Sequence, residues 1–234
     1  MRPKCEATNP GIGPTKRSQN SSQLAAVTAR PGPKPSFSKD DVVNAALKMN
    51  LHEFTMAQLA RTVGTVPSAL YRLFASRDAV LTACLDRIAE NMDLGRIGSG
   101  STPRNQSTSI ILKEYAEVCW RTMEQYPGLS QVLTSNPNAP RSISEPMEKL
   151  ITNLTKRGVS RGQALFALDF LGDLAISTHL AIQPYRQMDA AQQREHRRRG
   201  GTWAMRSYWL DRGSYDQKVD FVIRGLESDW PEME

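Results

Sequence analysis

Two carboxylates, Asp169 and Asp173, have the spacing of side chains that could do chemistry together. They lie one helical turn apart in the segment ALDFLGDLAISTHLAI, and paired carboxylates can do acid–base work when a substrate cleft and a second helix meet them. A solvated strip, polar groups in a subunit interface and the wall of a ligand pocket are the other interpretations. The pair alone therefore does not indicate an enzyme.

Other signatures of catalysis are missing from the sequence. It contains no GxSxG, P-loop, GxGxxG or HExxH motif. The three histidines lie in unrelated segments: His52, His179 and His196. The three cysteines are far apart and form no CxxC or Cys/His cluster, so neither a disulfide framework nor a zinc site is expected. We therefore predict a protein that is not an enzyme and that needs no metal or cofactor.

The segment TMAQLARTVGTVPSALYRLF, residues 55–74, has the spacing of a helix-turn-helix. Ala60 is small enough to let two helices approach, and Gly64 can take the positive φ that the turn needs. Apolar residues fall where the two helices would share an interface: Leu59, Val63, Leu70 and Leu73. An ordinary pair of antiparallel helices could show the same pattern, so the spacing alone allows both interpretations.

The segment GTVPSALYRLFASRDAVL resembles the signature of the TetR (tetracycline-repressor) family of transcriptional regulators. The matching residues are Gly64, Leu70, Tyr71, Phe74 and Ser76, with Arg77 in place of the usual lysine. The resemblance is strong over residues 37–92 and continues weakly through YPGLSQVL, KRGVSRGQALFAL and the last predicted helix. It implies double-stranded operator DNA as a partner, a helical homodimer interface and an effector pocket in the larger C-terminal domain.

In such a motif the third helix enters the major groove, and its N-terminal residues meet base edges. The residues expected there are Val66, Pro67, Ser68 and Ala69, of which Val66, Pro67 and Ala69 could pack on thymine methyl groups. Thr65, just before them, is also expected to contact DNA. Arg72 is the strong candidate for guanine O6 and N7, with a solvated charge as the alternative. The residues expected to reach phosphates are Thr55, Tyr71 and Arg77. Val66 and Leu73 depart from the family, which often has a polar capping residue and a histidine there.

The positive charge is concentrated at the N-terminus. The formal net charge is +6, and residues 1–36 carry six basic side chains against one acidic side chain. This segment is rich in Pro, Gly, Ser, Asn and Thr and lacks helical periodicity, so we predict a disordered basic arm. Arg30 and Lys34 lie just before the first predicted helix and are expected to reach the flanking minor groove or phosphates. The alternative is an arm that only aids solubility.

Helix signals are abundant after the arm, whereas no stretch shows sustained strand alternation. We predict an all-α fold with a helix-turn-helix DNA-binding domain at 37–92 and an effector-binding and dimerisation domain at 106–230. The predicted helix starts are Ser38 with Asp41, Thr55 with Gln58, Pro67, Ser76, Thr108, Glu145, Ser160 with Gln163, and Ser214 with Gln217. The third helix should run to about Phe74, and the segment 184–213 could be a mobile loop or a short charged helix.

Two helices of the larger domain combine apolar side chains with a few polar groups, as ligand pockets do. The candidate pocket residues are Tyr115, Cys119, Trp120, Met123, Phe166, Asp169, Phe170, Asp173 and His179. Ordinary core is the alternative for most of them, because aromatic and Met stripes at helical spacing usually pack inside. If they form a pocket, the ligand should be medium-sized and largely apolar, and neutral or cationic because the two aspartates are the nearest charges.

The sequence thus predicts a ligand-responsive repressor that binds an inverted-repeat operator as a homodimer. The long helix from Ser160 and the last helix are expected to form the dimer interface. Alternatives are a DNA-binding protein controlled by a protein partner, and an enzyme that has reused the helical scaffold. The N-terminus has no apolar segment of a secretory signal and no run has the length of a membrane span, so cytoplasmic residence is expected.

Overall fold

The computed structural model describes residues 37–98, 107–201 and 207–233. Within these ranges the chain is helical and contains no β-strand, so the predicted all-α fold class is confirmed. The helices are α1 (Lys39–Ala46), α2 (Met56–Val63), α3 (Pro67–Tyr71), α4 (Arg77–Met92), α5 (Thr108–Gln125), α6 (Leu129–Ser135), α7 (Pro140–Thr155), α8 (Arg161–Gln187), α9 (Ala190–Arg199) and α10 (Tyr215–Ser228). The predicted arm, with Arg30 and Lys34, lies outside the described residues.

The first two helices begin where their capping residues predict. The Ser38 hydroxyl accepts a hydrogen bond from the Asp41 backbone N–H, and the Asp41 carboxylate accepts from Ser38 in return. Thr55 and Gln58 form the same reciprocal pair at the start of α2. Gly64 ends α2 in the left-handed conformation at φ 76°, which a residue with a Cβ adopts only at a cost. Local capping therefore fixes both boundaries of α2.

The third helix is shorter than predicted and ends at Tyr71 rather than at Phe74. The backbone N–H of Phe74 still donates to the Leu70 carbonyl, but Phe74 itself turns into the core. Ser76 then extends at φ −155° and caps α4 through the Ala79 N–H. Only Ala75 and Ser76 separate Phe74 from the start of α4, so the chain leaves the conformation of α3 before Phe74 in order to reach the extended Ser76.

Three of the C-terminal helices differ from the predicted ones. The helix α7 begins at Pro140 rather than Glu145, because a proline at the first helical position lacks only an N–H that would have no partner there. Pro146 lies inside this helix and removes one backbone hydrogen bond. The helix α8 continues to Gln187 instead of ending near Ile182. The short helix α6 was not predicted.

The segment 184–213, which the sequence left open, contains the charged helix α9. Asp189 caps this helix by accepting hydrogen bonds from the Ala191 and Gln192 N–H groups. The predicted capping box at Ser214 is wrong. Ser214 lies in the left-handed region at φ 61° and makes no capping hydrogen bond through its side chain. A capping residue normally has an extended backbone, and the left-handed conformation of Ser214 departs from it.

The helix α8 is the centre of the larger half of the fold, where it packs against α5, α6, α7 and α10. Its length and composition would also suit a membrane span, but a core helix of a globular protein passes the same test. Residues along its whole length are buried among the other helices, from Ala164 to Ile182. The burial supports the core interpretation.

The helix α4 belongs to both halves of the fold. It packs against α1 on one side and against α7 and α5 on the other. Its buried stripe runs from Val80 and Leu81 to Ile88 and Ala89, so the helix is anchored over most of its length. The division into domains at 37–92 and 106–230 stays a prediction, and α4 is the element that would connect the two domains.

Candidate functional site

The helices α2 and α3 form the predicted helix-turn-helix packing. Leu59, Ala60 and Leu70 are completely buried between the helices, and the Gly64 N–H donates to the carbonyls of Ala60 and Arg61 in the turn. The opposite side of α3 is open to solvent. Val66, the apolar residue just before this helix, is 59% exposed there. An apolar side chain held in that position is available for contact with a partner.

Most of the residues expected to contact DNA lie on this open side. The exposed ones are Thr55, Val66, Pro67, Ser68, Tyr71 and Arg72, while Thr65 and Ala69 are half-buried. No hydrogen bond or ion pair holds the Arg72 guanidinium within the described ranges, so it is free to bind an external acceptor. The Thr55 hydroxyl differs, because it already donates to the Gln58 side chain and accepts from the Gln58 N–H.

The Arg77 guanidinium, predicted to contact phosphate, already makes three hydrogen bonds inside the protein. Its Nε donates to the Phe54 carbonyl at 2.8 Å, and its Nη2 donates to the carbonyls of Leu51 at 2.9 Å and His52 at 2.8 Å. The guanidinium also lies over the Phe54 ring, 4.6 Å from its centroid. The Nε and Nη2 groups thus face inward and fasten the first turn of α4 to the loop between α1 and α2, whereas Nη1 lies 3.9 Å from the Asp78 carboxylate. The phosphate contact of Arg77 stays a prediction, and an internal clamp is the alternative role.

The same loop contacts the larger half of the fold at a tight crossing. The Leu51 N–H donates to the Pro127 carbonyl at 2.8 Å, in the turn between α5 and α6. Gly128 follows at φ 81°, and a Cβ there would lie 2.1 Å from the Asn50 Oδ1 and 2.8 Å from the His52 backbone nitrogen. Glycine is thus required at this position by both its backbone conformation and its neighbours.

A cavity of about 470 Å³ opens between α4, α5, α6, α7 and α8. Its volume falls in the range of pockets for drug-sized ligands. Five of the nine candidate ligand residues line it: Tyr115, Cys119, Met123, Asp169 and Asp173. The sequence interpretation that Asp169 and Asp173 form part of a pocket wall fits this placement.

The other four candidates lie elsewhere, and for them the pocket prediction is not supported. Trp120 stacks on Tyr215 with the ring centroids 4.7 Å apart and meets the edge of the His179 ring. The rings of Phe166 and Phe170 are 6.0 Å apart, on a side of α8 that does not line the cavity. Trp120 and His179 therefore serve as core, Phe166 is half-buried against the core, and Phe170 is exposed.

The sequence missed the walls that α4 and α7 contribute. These residues are Leu85, Ile88, Ala89 and Met92 on α4, and Ile143, Met147 and Ile151 on α7. Their helical spacing indicated a buried face but not what that face would cover. The methionines were the one available signal, because flexible thioether side chains are frequent at adaptable binding surfaces.

A buried polar cluster resembles a catalytic triad in its composition. The Ser130 Oγ lies 3.0 Å from the His179 Nδ1, and the His179 Nε2 lies 3.5 Å from the Glu124 Oε1. Ser130 is completely buried, however, and Glu124 is held by Arg186 at 2.6 Å. Burial also lowers the pKa of His179, which keeps the imidazole neutral. This cluster ties α5, α6 and α8 together, and its serine is closed to substrates.

No protein-family model matches the chain. The chain is 29% identical over 145 residues to the HTH-type transcriptional repressor DrrR1 of Streptomyces coeruleorubidus, which covers 58% of this chain and about half of that protein. A possible TetR family transcriptional regulator from Streptomyces coelicolor A3(2) has a similar structure, with a TM-score of 0.61, 18% identity, and coverage of 82% of this chain and 99% of the other.

A second solved structure is a TetR variant from Acinetobacter baumannii AYE in complex with minocycline. It has a TM-score of 0.55 and 19% identity, and the match covers 84% of this chain and 99% of that one. Each structural match covers more than four fifths of this chain and nearly all of the other chain. The protein therefore has the fold of the TetR-family transcriptional regulators.

Proposed function

We propose that this protein is a cytoplasmic, ligand-responsive transcriptional repressor that binds operator DNA as a homodimer. One observation carries the proposal: the two ends of α4 belong to two different sites. Its first turn holds the helix-turn-helix loop through Arg77, and its last two turns line the cavity through Ile88 and Met92. A ligand that shifts the cavity end of α4 would therefore also shift the DNA-reading helices.

A second connection runs from the cavity through α6. Leu129 and Leu133 of this helix line the cavity, and the turn just before it accepts the hydrogen bond from the Leu51 N–H. Both connections end on the loop between α1 and α2, which precedes the helix-turn-helix. We infer that ligand binding favours a spacing of the two α3 helices of a dimer that no longer matches adjacent major grooves.

The test of this function is the linkage between ligand and operator. A ligand shifts the equilibrium only if its affinity differs between the DNA-bound and the released conformation. Operators can be selected with the full chain from random duplexes, and ligands can be found by the rise in Tm that they cause. We expect ligand affinity to fall in the presence of saturating operator, with operator affinity falling by the same factor when the ligand is saturating. Equal ligand affinities with and without operator would refute release by ligand.

Arg72 is expected to read a guanine. The variant Arg72→Ala should lose about 1–3 kcal/mol of binding free energy on the selected operator and should relax specificity at one base pair of each half-site. Fluorescence anisotropy on a set of single-base operator variants measures both effects. Arg96→Ala is the matched control, because Arg96 is an exposed arginine beyond the end of α4. Uniform weakening on every sequence would instead make Arg72 a phosphate contact.

The homodimer is expected to use the outer faces of α8 and α10, which pack side by side. Phe221 on α10 is 73% exposed, and Phe170 on α8 is also exposed. Burying such side chains against a second copy would stabilise a symmetric four-helix interface. We expect Phe221→Glu to sediment as a monomer at micromolar concentration, and Ile110→Glu, which changes an exposed apolar residue of α5, to remain a dimer. A wild-type chain that sediments as a monomer would contradict the homodimer.

A further inference from the structure

The charged groups of the cavity lie at its rim on α8. Asp169 and Asp173 both line the cavity and are both exposed, so their carboxylates stand at the opening rather than at the floor. Within the described ranges neither carboxylate makes a hydrogen bond or an ion pair. Gly172 lies between them, and its missing side chain leaves room for the Tyr115 hydroxyl. The rim therefore presents two negative charges that nothing in this part of the chain neutralises.

A third carboxylate of the cavity has its charge matched. Glu148 on α7 is bound by both terminal nitrogens of Arg161, at 2.8 Å and 2.6 Å. None of the described residues that line the cavity is a lysine, an arginine or a histidine. The lining thus has an excess of negative charge, and the excess belongs to Asp169 and Asp173.

Deeper polar groups of the cavity are uncharged. Burial raises the pKa of the Cys119 thiol to about 12, and it raises the pKa of the Tyr115 hydroxyl well above its usual range. Both groups therefore stay protonated at neutral pH. The hydroxyls of Thr122, Ser142 and Ser144 also line the cavity and already donate hydrogen bonds within the protein. Most of the remaining lining is apolar and includes the flexible side chains of Met92, Met123 and Met147. The cavity has an apolar body with a negative edge.

We infer that the effector is an amphipathic organic cation, with a bulky apolar body and one ammonium, amidinium or phosphonium centre. The apolar body fills the space between α4, α5, α7 and α8, and the cationic centre lies against Asp169 and Asp173. An anion would meet two carboxylates of its own sign, and a neutral molecule would cover them without replacing their water. This inference deepens the proposed function and rests on it.

The experiment compares hydrophobic ions of equal shape and opposite charge. One pair is compact, tetraphenylphosphonium and tetraphenylborate, and the other is extended, decyltrimethylammonium and decyl sulfate below their micelle concentrations. Titration calorimetry on the full chain without DNA gives the four dissociation constants. We expect the cation of at least one pair to bind about tenfold or more tightly than its anion, since opposite charges at the rim attract and like charges repel.

Two variants locate the source of this preference. The double variant Asp169→Asn with Asp173→Asn keeps the shape of the rim and removes its charge, so we expect it to lose most of the cation preference. The control replaces both partners, Glu148→Gln with Arg161→Gln, which removes a neutral carboxylate–guanidinium pair and leaves the net charge around the cavity unchanged, so we expect the preference to persist. Preferred binding of both anions, absence of binding by both cations, or an unchanged preference in the double variant would overturn the inference.

The readouts keep this inference separate from the proposed function. Operator binding by the unliganded chain is measured on its own by anisotropy, and its absence would count against the repressor and leave the charge preference standing. Conversely, if the chain shows no preference for cations but a neutral compound still releases the operator, the repressor function stands and the charge preference is refuted.

Discussion

Replacing Gly128 with alanine is expected to lower the free energy of unfolding by about 2–4 kcal/mol. Part of this loss is the cost of placing a Cβ in the left-handed region, about 1–2 kcal/mol. The remainder is steric, because the new Cβ would lie 2.1 Å from the Asn50 Oδ1 and less than 3.0 Å from the backbone nitrogens of Leu51 and His52. Overpacking against backbone cannot be relieved by a change of rotamer.

The matched control for this variant is Gly158→Ala. Gly158 also has a positive φ, of 90°, but nothing lies within 4 Å of the position where its Cβ would be. It should therefore lose only the backbone part, about 1–2 kcal/mol. Urea unfolding of both variants gives the comparison. Adding Asn50→Ala to Gly128→Ala should recover part of the loss, because the side-chain contact is removed while the backbone contacts remain. Equal losses at the two glycines would show that the crossing is not tight.

The crossing also matters for the proposed coupling. Gly128 lets the turn between α5 and α6 approach the loop between α1 and α2, where the Leu51 N–H meets the Pro127 carbonyl. Pushing these segments apart should weaken the connection from α6 and leave the one through α4. We expect ligand and operator to remain coupled in Gly128→Ala, with a smaller factor than in the wild-type chain.

The helix-turn-helix could be predicted from the sequence because its determinants are local. Capping boxes such as Thr55 with Gln58 act over three residues, and the left-handed turn at Gly64 needs no knowledge of the rest of the chain. The same local reasoning failed at Ser214, because Ser214 and the glycine before it, Gly213, both adopt a positive φ. A side chain of the right type caps a helix only when its backbone is extended.

The cavity could be predicted only in part, because its walls come from distant segments. Tyr115 and Asp169 lie on α5 and α8, whose mixture of apolar and polar residues is visible in the sequence. The α4 wall was not foreseen, since its stripe from Leu85 to Met92 has the ordinary pattern of a core helix. Which stripe covers a cavity depends on how α7 crosses α4, and periodicity within one helix does not determine that angle.

The internal hydrogen bonds of Arg77 were missed for the same reason. Its place in the family signature favoured a phosphate contact, whereas its hydrogen-bond acceptors lie 23 to 26 residues earlier in the chain. Carbonyl groups left free by a loop are not visible in a side-chain pattern. Arginine has five donors in a fixed plane, so it can bind several such carbonyls at once.

Arg77→Met is the second large effect that we expect, and it distinguishes the two roles. Methionine keeps the unbranched side chain only as far as the position of Nε, and it leaves the carbonyls of Leu51, His52 and Phe54 without their donor. Because the Arg77 side chain is about one-third exposed, water replaces part of these bonds. We therefore expect the free energy of unfolding to fall by about 2–3 kcal/mol rather than by the full cost of three unsatisfied groups.

The salt dependence of operator binding separates this internal role from a phosphate contact. A lost phosphate contact would reduce the slope of log affinity against log salt by about one and leave stability unchanged. An internal clamp predicts the opposite, an unchanged slope with a lower Tm. Arg77→Lys should recover only part of the stability, because a single ammonium is a point donor and does not span carbonyls that the guanidinium fork reaches together. Asp78→Ala, which changes the exposed neighbour of Arg77, should keep the salt slope and lose only the stabilisation that an acidic side chain gives the first turn of a helix, about 0.3–1 kcal/mol. A reduced salt slope in Arg77→Met with an unchanged Tm would restore the phosphate contact and remove the clamp from the path between the cavity and the DNA.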